Sequence, residues 1–291
     1  MSKPLADKIA VVTGASRGIG RAIALRLGRD GASVAVHYGR NREAADRAVK
    51  EIEGAGGAAF SIGVELGTLA SVEELFDSLD LELTSRNGSN RFDILVNNAA
   101  IAPDSSVEDT TEDVFDRVFA VNAKVPFFIS QKALPRLRDG GRIINISTGA
   151  TRVAFPGLAA YAMSKGALNI LTLELAKQLG PRGITVNSLA PGFVETDMSA
   201  RFLGDPESRR VASSLSALGR IGQPDDIADV AAFLASHAGR WVTGQYIDAT
   251  GGSQLKRAYA ADSSPARDGP SLQASGLGGQ VTAESVLYRS R

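Results

Sequence analysis

Short apolar runs alternate along the chain with stretches of helical period. Residues 9–13 (Ile-Ala-Val-Val-Thr) read as a strand and 19–29 as a helix, and 33–37 form a second strand before a charged helix over 42–53. Residues 58–64 make a third strand, and 92–96 a fourth after a further helix. Downstream, 141–146 and 183–187 are strands separated by a long helix over about 159–179, and 245–248 is a last short strand. Strands spaced by helix-length segments imply βαβ units, hence an α/β fold with a doubly wound parallel sheet flanked by helices. Ligands on such sheets bind beyond the carboxyl ends of the strands, near the point where strand order reverses. Two segments break the pattern. The polar stretch 84–90 reads as an exposed loop, and from about Leu255 the composition shifts to Ala, Ser, Gly and scattered charge. One domain over 1–254 is therefore expected, with 255–291 as a tail that is flexible, or docked on the body or a partner subunit through 281–288.

Composition removes several classes of function. Of 291 residues, 32 are Lys or Arg and 32 are Asp or Glu, so the basic stripe of a nucleic-acid binder is not expected. With no cysteine, thiolate catalysis, disulfides and thiolate metal sites are excluded. His37 and His237 are the only histidines, which leaves no multi-histidine metal site and makes a Ser-His hydrolase unpromising. No run of about 18 apolar residues suggests a membrane span. The first residues lack the apolar stretch of a secretory signal, so a soluble, cytoplasmic protein is expected.

The first candidate site is the turn Thr13-Gly-Ala-Ser-Arg-Gly-Ile-Gly20, between the first strand and the first helix. A helix N-terminus offers unpaired N–H groups and the positive end of its dipole to an anion. Gly14, Gly18 and Gly20 let the backbone turn sharply and approach a pyrophosphate. The spacing is Gly-x₃-Gly-x-Gly, and in this position dinucleotide binding outweighs an ordinary glycine-rich turn. The second strand ends in His37-Tyr-Gly-Arg-Asn41, without the acidic residue that usually holds the ribose hydroxyls of NAD. Arg40 and Arg17 suit a 2′-phosphate, so NADP(H) is expected over NAD(H). The alternative is that both arginines are solvated surface residues.

The second candidate is Tyr161 with Lys165, four residues apart and so on one helix face. A phenol with a pKa of about 10 is a poor acid–base catalyst at neutral pH. A lysine ammonium one turn away would stabilise the phenolate and lower that value. Thr148, at the end of the strand over 141–146, supplies a hydroxyl to polarise a substrate carbonyl. Ser147 is the fallback donor, although side-chain alternation argues against it.

These motifs, with Asn97-Asn-Ala-Ala100, Asn122, Asn145-Ile-Ser-Thr148 and Pro191-Gly-Phe-Val-Glu-Thr196, occur in order and at family spacing. Over about residues 5–254 the chain resembles a single-domain short-chain dehydrogenase/reductase of the 3-oxoacyl-carrier-protein-reductase-like branch. The resemblance implies a Rossmann-like fold and assigns Tyr161 as general acid in reduction or base in oxidation. Lys165 would bind the nicotinamide ribose and tune Tyr161, and Asn122 would hold a water linking Lys165 to solvent. The implied dinucleotide site comprises Gly14, Ser16, Arg17, Ile19 and Gly20 in the turn, then Arg40, Asn41, Glu65 and Leu66. It continues through Asn98, Ala99 and Ala100, with Tyr161 and Lys165, to Pro191, Gly192, Val194 and Thr196 at the nicotinamide end. Three positions depart from the family pattern: Thr148 stands for the usual serine, Ala100 for a glycine and Glu65 for an aspartate.

The expected activity is NADPH-dependent reduction of an apolar or aromatic ketone, or of a 3-oxoacyl chain. Val153, Phe155 and Leu158 would form one wall, with Met198, Phe202 and Leu203 as a lid. Alternatives are an alcohol dehydrogenase working oxidatively, a non-catalytic dinucleotide sensor, and an assembly protein acting through its tail. Met163, Ala167 and Ile170 lie opposite Tyr161 and Lys165 on the long helix, which either packs them within one subunit or uses them in a homodimer or homotetramer. No metal is expected.

Overall fold

The computed structural model describes residues 3–253 and 255. Seven strands form one parallel sheet: β1 (Ile9–Val12), β2 (Ser33–Tyr38), β3 (Ala58–Gly63), β4 (Phe92–Asn97), β5 (Leu137–Ile146), β6 (Thr185–Pro191) and β7 (Tyr246–Ala249). Their spatial order is β3-β2-β1-β4-β5-β6-β7, so the order reverses between β1 and β4. This is the doubly wound, Rossmann-like sheet that the alternation predicts. Side chains along each strand alternate between two apolar layers. Ala10, Val12, Ile94, Val96 and Ile144 pack against α1 (Gly18–Arg29) and α8 (Pro224–Ala235). Ile9, Val11, Leu95, Ile143 and Val186 face the layer that also holds Leu75 and Leu79 of α3 (Leu69–Asn87), Ile129 of α5 (Val125–Ala133) and Leu175 of α6 (Ala159–Leu179). The remaining α-helices are α2 (Arg42–Gly54), α4 (Glu112–Phe119) and α7 (Pro206–Leu215).

The boundaries correct the sequence reading in three places. Residues 84–87 are the last turn of α3 and not a loop; Gly88 then stops the helix in the left-handed conformation at φ 69°. The polarity there belongs to a solvated helix face, since Leu83 on the opposite side is fully buried. β6 runs on to Pro191, because every residue of this central strand is buried and no alternation marks its end. Between α4 and α5 the chain passes through a π-helical segment, Ala120–Lys124, that the sequence pattern does not announce. On α6, Met163 and Ile170 are 56% and 59% exposed and Ala167 is exposed as well, so this apolar face is not packed against the described residues. The 255–291 tail lies outside the described residues except for Leu255. Among the described residues no helix is long and apolar enough to cross a membrane, and no cluster of potential metal ligands occurs.

Candidate active site

The carboxyl ends of β1, β2, β4, β5 and β6 open into one cavity of about 590 Å³. Every residue assigned above to the dinucleotide lines it, and so does Thr148. At its floor, Thr13 joins the two halves of the sheet. The Thr13 hydroxyl donates to the Val96 carbonyl at 3.2 Å and accepts from the backbone N–H groups of Asn98 at 2.9 Å and Ala99 at 3.0 Å. The Asn98 side-chain amide returns the link, donating to the carbonyls of Thr13 at 2.8 Å and Gly14 at 3.0 Å. This close crossing is why residue 20 is glycine. A Cβ there would sit 2.3 Å from both the Asn98 amide nitrogen and the Gly14 carbonyl oxygen. α1 then begins at Gly18 with no side-chain cap and no acidic residue in its first turn. Its free N–H groups and dipole suit an anion at the cavity floor.

His37 holds the turn from below, a role the sequence does not signal. Its Nδ1 accepts from the Gly14 N–H at 3.0 Å, its Nε2 faces the Val64 carbonyl at 2.9 Å, and its own carbonyl accepts from Ala15 N–H at 2.7 Å. The imidazole is therefore neutral with its proton on Nε2, and burial pushes its pKa down to about 4. Because the folded value lies below the ordinary 6.5, the unfolded chain takes up the proton first as pH falls. Stability carried by the neutral ring is expected to be intact above pH 6.5 and to fall between about 6.5 and 4, by on the order of 3 kcal/mol. Urea unfolding at pH 7.5, 5.5 and 4.5 checks this. The wild type should lose more stability over that range than His37→Gln, and parallel losses would contradict it.

At the catalytic end, the Thr148 hydroxyl lies near enough to the Tyr161 phenol to act on its pKa. The backbone of Thr148 is anchored from two sides, since its carbonyl accepts from the Tyr246 hydroxyl at 2.9 Å and from the Thr151 hydroxyl at 3.0 Å. The Thr148 Oγ1 also accepts from the Ala150 N–H at 3.2 Å. Lys165 is 1% exposed, and its ammonium donates to the Ile146 carbonyl at 2.7 Å. Burial pushes the lysine down to about 7 and the Tyr161 phenol up to about 12, the latter partly offset by the Thr148 hydrogen bond. The sequence reading expected the ammonium, with an oxidised nicotinamide beside it, to lower the phenol; in the ligand-free chain desolvation sets the direction. The Tyr161 ring lines an open cavity and stays partly exposed, so water entering the cleft relieves some of that push.

Asn122 lies behind the cavity wall. It is fully buried and does not line the cavity. Its Oδ1 accepts from Ile101 N–H at 2.9 Å, and its amide donates to the Ile101 carbonyl at 2.8 Å and the Ser164 hydroxyl at 3.1 Å. Ser164 in turn donates to the Tyr161 carbonyl at 2.6 Å. The Asn122 side chain thus ties the π-helical segment to the backbone of the catalytic helix, with both amide hydrogens used and one lone pair of Oδ1 left over. Ser147 lines the cavity, but the side chain that meets Tyr161 is that of Thr148. The Ser147 hydroxyl is buried without a partner.

The substrate side is apolar. Val153, Phe155, Leu158, Met198 and Phe202 line it as expected, joined by Phe193, whose ring meets that of Phe155 edge-on at 5.6 Å. Phe193 lies inside the Pro191–Thr196 motif, but the sequence reading gave it no role in the substrate wall. Leu203 instead packs into a small core with Ala212 and Ile221. Arg201 hydrogen-bonds the Ala102 carbonyl, tying the segment after Thr196 to the loop after β4.

At the adenosine end the two arginines are not free. Arg40 forks onto Glu65, and Arg17 lies 3.5 Å from Asp197. Arg117 of α4, which no sequence signal singled out, lines the same end. The uncapped start of α1, the glycine at position 20 and the unpartnered Ser147 hydroxyl together fit a dinucleotide.

A family model described as enoyl-(acyl carrier protein) reductase matches residues 14–254. Versicolorin reductase stcU of Emericella nidulans is 40% identical over 260 residues, covering 86% of this chain and 96% of the relative. Among solved structures, the angucycline C-6 ketoreductase LanV with bound NADP is 51% identical, with a TM-score of 0.85 over 88% of this chain and 99% of that one. LanV with NADP and rabelomycin superposes at 0.80 with 49% identity, covering 87% and 98%.

Proposed function

Because the chain belongs to the short-chain dehydrogenase/reductase family, we propose that this NAD(P)-dependent oxidoreductase reduces an aromatic ketone to the secondary alcohol, with NADPH as cofactor and Tyr161 as the proton donor. The observation that carries the reading is that Thr148 and Tyr161 line one cavity, with the Thr148 hydroxyl near enough to the phenol to act on its pKa and Lys165 one helical turn away. Two hydroxyls so placed can both bond one carbonyl oxygen and stabilise the charge that develops on it. NADPH, when bound, supplies the hydride. Tyr161, kept protonated at neutral pH by burial, hands its proton to the new alkoxide, and the same protonation state favours reduction over oxidation. Lys165 then faces a phenolate and stabilises it. Its remaining N–H groups suit the ribose hydroxyls. Asn122 acts through Ser164 as a positioning residue, holding the start of α6.

The substrate class follows from the wall. Phe155, Phe193 and Phe202 with Val153, Leu158 and Met198 suit a flat apolar ring system. Among the described lining residues, arginines occur only toward the adenosine end; Arg201, whose guanidinium lies over the Phe202 ring, is held by the Ala102 carbonyl. LanV is a ketoreductase solved with NADP, which supports both the reaction and the cofactor. The outward apolar face of Met163, Ala167, Ile170 and Leu173 supports self-association through α6.

The test is NADPH oxidation followed at 340 nm with a panel of fused-ring aromatic ketones, 3-oxoacyl thioesters and aliphatic keto acids. Aromatic ketones are expected to give kcat/KM at least about tenfold above the other classes. Turnover confined to 3-oxoacyl thioesters would replace the substrate assignment, and binding of NADPH without turnover on any ketone would remove the enzymatic one.

A further inference from the structure

The adenosine end carries a charge arrangement that the cofactor alone does not explain. Arg40, just beyond β2, meets Glu65, just beyond β3, at two points: Nε to Oε2 at 2.8 Å and a terminal nitrogen to Oε1 at 2.5 Å. The same Oε1 lies 3.8 Å from a terminal nitrogen of Arg117, inside ion-pair range but beyond a hydrogen bond. Arg40, Glu65 and Arg117 are all substantially exposed, at 76%, 50% and 63% of their side-chain surface. Glu65 is held below the usual carboxylate range, first by its hydrogen bond to Arg40 and to a smaller degree by the charges of Arg40 and Arg117, against the opposing push of desolvation. It is therefore a full negative charge at neutral pH, beside the place assigned to a dianionic 2′-phosphate.

We infer that Glu65 is a specificity-determining residue that acts as a releasable counter-ion. It holds Arg40 while the 2′ position carries only a hydroxyl, and it passes to Arg117 when a 2′-phosphate takes Arg40. Three physical arguments support this. An exposed ion pair is weak, so opening it costs little. A phosphate satisfies the planar guanidinium fork at least as well as a carboxylate and carries more charge. A carboxylate left unpaired next to that phosphate would repel it, and Arg117 is already placed to prevent this. Had Glu65 been free of arginine, it would simply select against NADP; with Arg117 behind it, the exchange conserves a paired carboxylate. The inference rests on the reading of this cavity as an NADP(H) site and adds residues 65 and 117 to what decides the choice.

Calorimetric titration of the full chain with 2′,5′-ADP and with 5′-AMP at fixed ionic strength tests it without any turnover. Glu65→Gln keeps the shape but removes the competing charge, so the preference for 2′,5′-ADP over 5′-AMP should rise about threefold to tenfold. Arg117→Gln should weaken 2′,5′-ADP by about threefold in the wild-type background and have no effect in the Glu65→Gln background, because the carboxylate it receives is then gone. Equal weakening in both backgrounds would make Arg117 a direct phosphate ligand and overturn the exchange. An unchanged preference for 2′,5′-ADP over 5′-AMP in Glu65→Gln would overturn it too, while leaving the NADPH reading intact if Arg40→Ala still abolishes the wild-type preference. A wild type that does not distinguish the two ligands, with Arg40→Ala neutral, would overturn the NADPH reading and this inference with it.

Discussion

Tyr161→Phe is expected to lower kcat for ketone reduction by about a thousandfold, in line with the loss of a positioned general acid. The ring, its packing and the backbone hydrogen bond from Ser164 to the Tyr161 carbonyl are all retained in this variant. Dissociation constants for NADPH should therefore stay within about threefold of the wild type, and the fold should be unaffected. The loss belongs to kcat because the proton is needed only as the alkoxide forms. Stopped-flow single turnovers at saturating NADPH separate the chemical step from product release. A variant that keeps a tenth of the wild-type single-turnover rate would move the proton donor elsewhere, with Thr148 as the first candidate. Because burial holds the phenol up near 12, the wild-type single-turnover rate should show no loss of the acid between pH 6 and 8.

Lys165→Met is expected to make the ligand-free protein more stable and the enzyme much slower. The ammonium is 1% exposed, and the Ile146 carbonyl is its one hydrogen-bond acceptor among the described residues, although an ammonium offers three hydrogens. Methionine fills similar space without that charge. The folded value of about 7 lies below the ordinary 10.5, so the sign is fixed by linkage. The unfolded chain holds this proton more tightly, the penalty is complete below about pH 7, and it declines as pH rises toward 10.5. Differential scanning calorimetry at pH 6.5 should show Tm higher in the variant by on the order of 5 °C, with a smaller gain at pH 8.5. Turnover should fall by at least about a hundredfold, since the phenolate loses its neighbouring cation. A lower Tm at pH 6.5 would mean that the buried charge is compensated by contacts other than the Ile146 carbonyl. A higher Tm together with lost activity would mark Lys165 as a residue kept for chemistry against stability.

Much of this architecture is local and so could be read from the chain. The strand-helix alternation, the turn from Thr13 to Gly20 and the one-turn spacing of Tyr161 and Lys165 each depend on residues within a few positions of one another. Backbone geometry and side-chain period act at that range, and the seven-stranded parallel sheet and cavity lining follow them closely. Where the pattern misled, the reason was burial. The last turn of α3 looked like a loop because its polar face is solvated, and β6 seemed short because a strand covered on both faces carries no alternation.

The chemistry of the site depended on contacts far apart in sequence. Gly14 finds His37, Asn122 finds Ile101 and Ser164, and Glu65 finds both Arg40 and Arg117. No period or spacing encodes those meetings, which exist only once the sheet has brought the strand ends together. The direction in which Tyr161 is pushed belongs to the same class. A sequence places a lysine one turn away and argues for a more acidic phenol, but desolvation is set by the volume that encloses both groups. Local order wrote the fold into the sequence, and the family resemblance supplied the list of residues. Enclosure, which only the tertiary structure creates, decided the charge each of them carries and which of them remain available to a ligand.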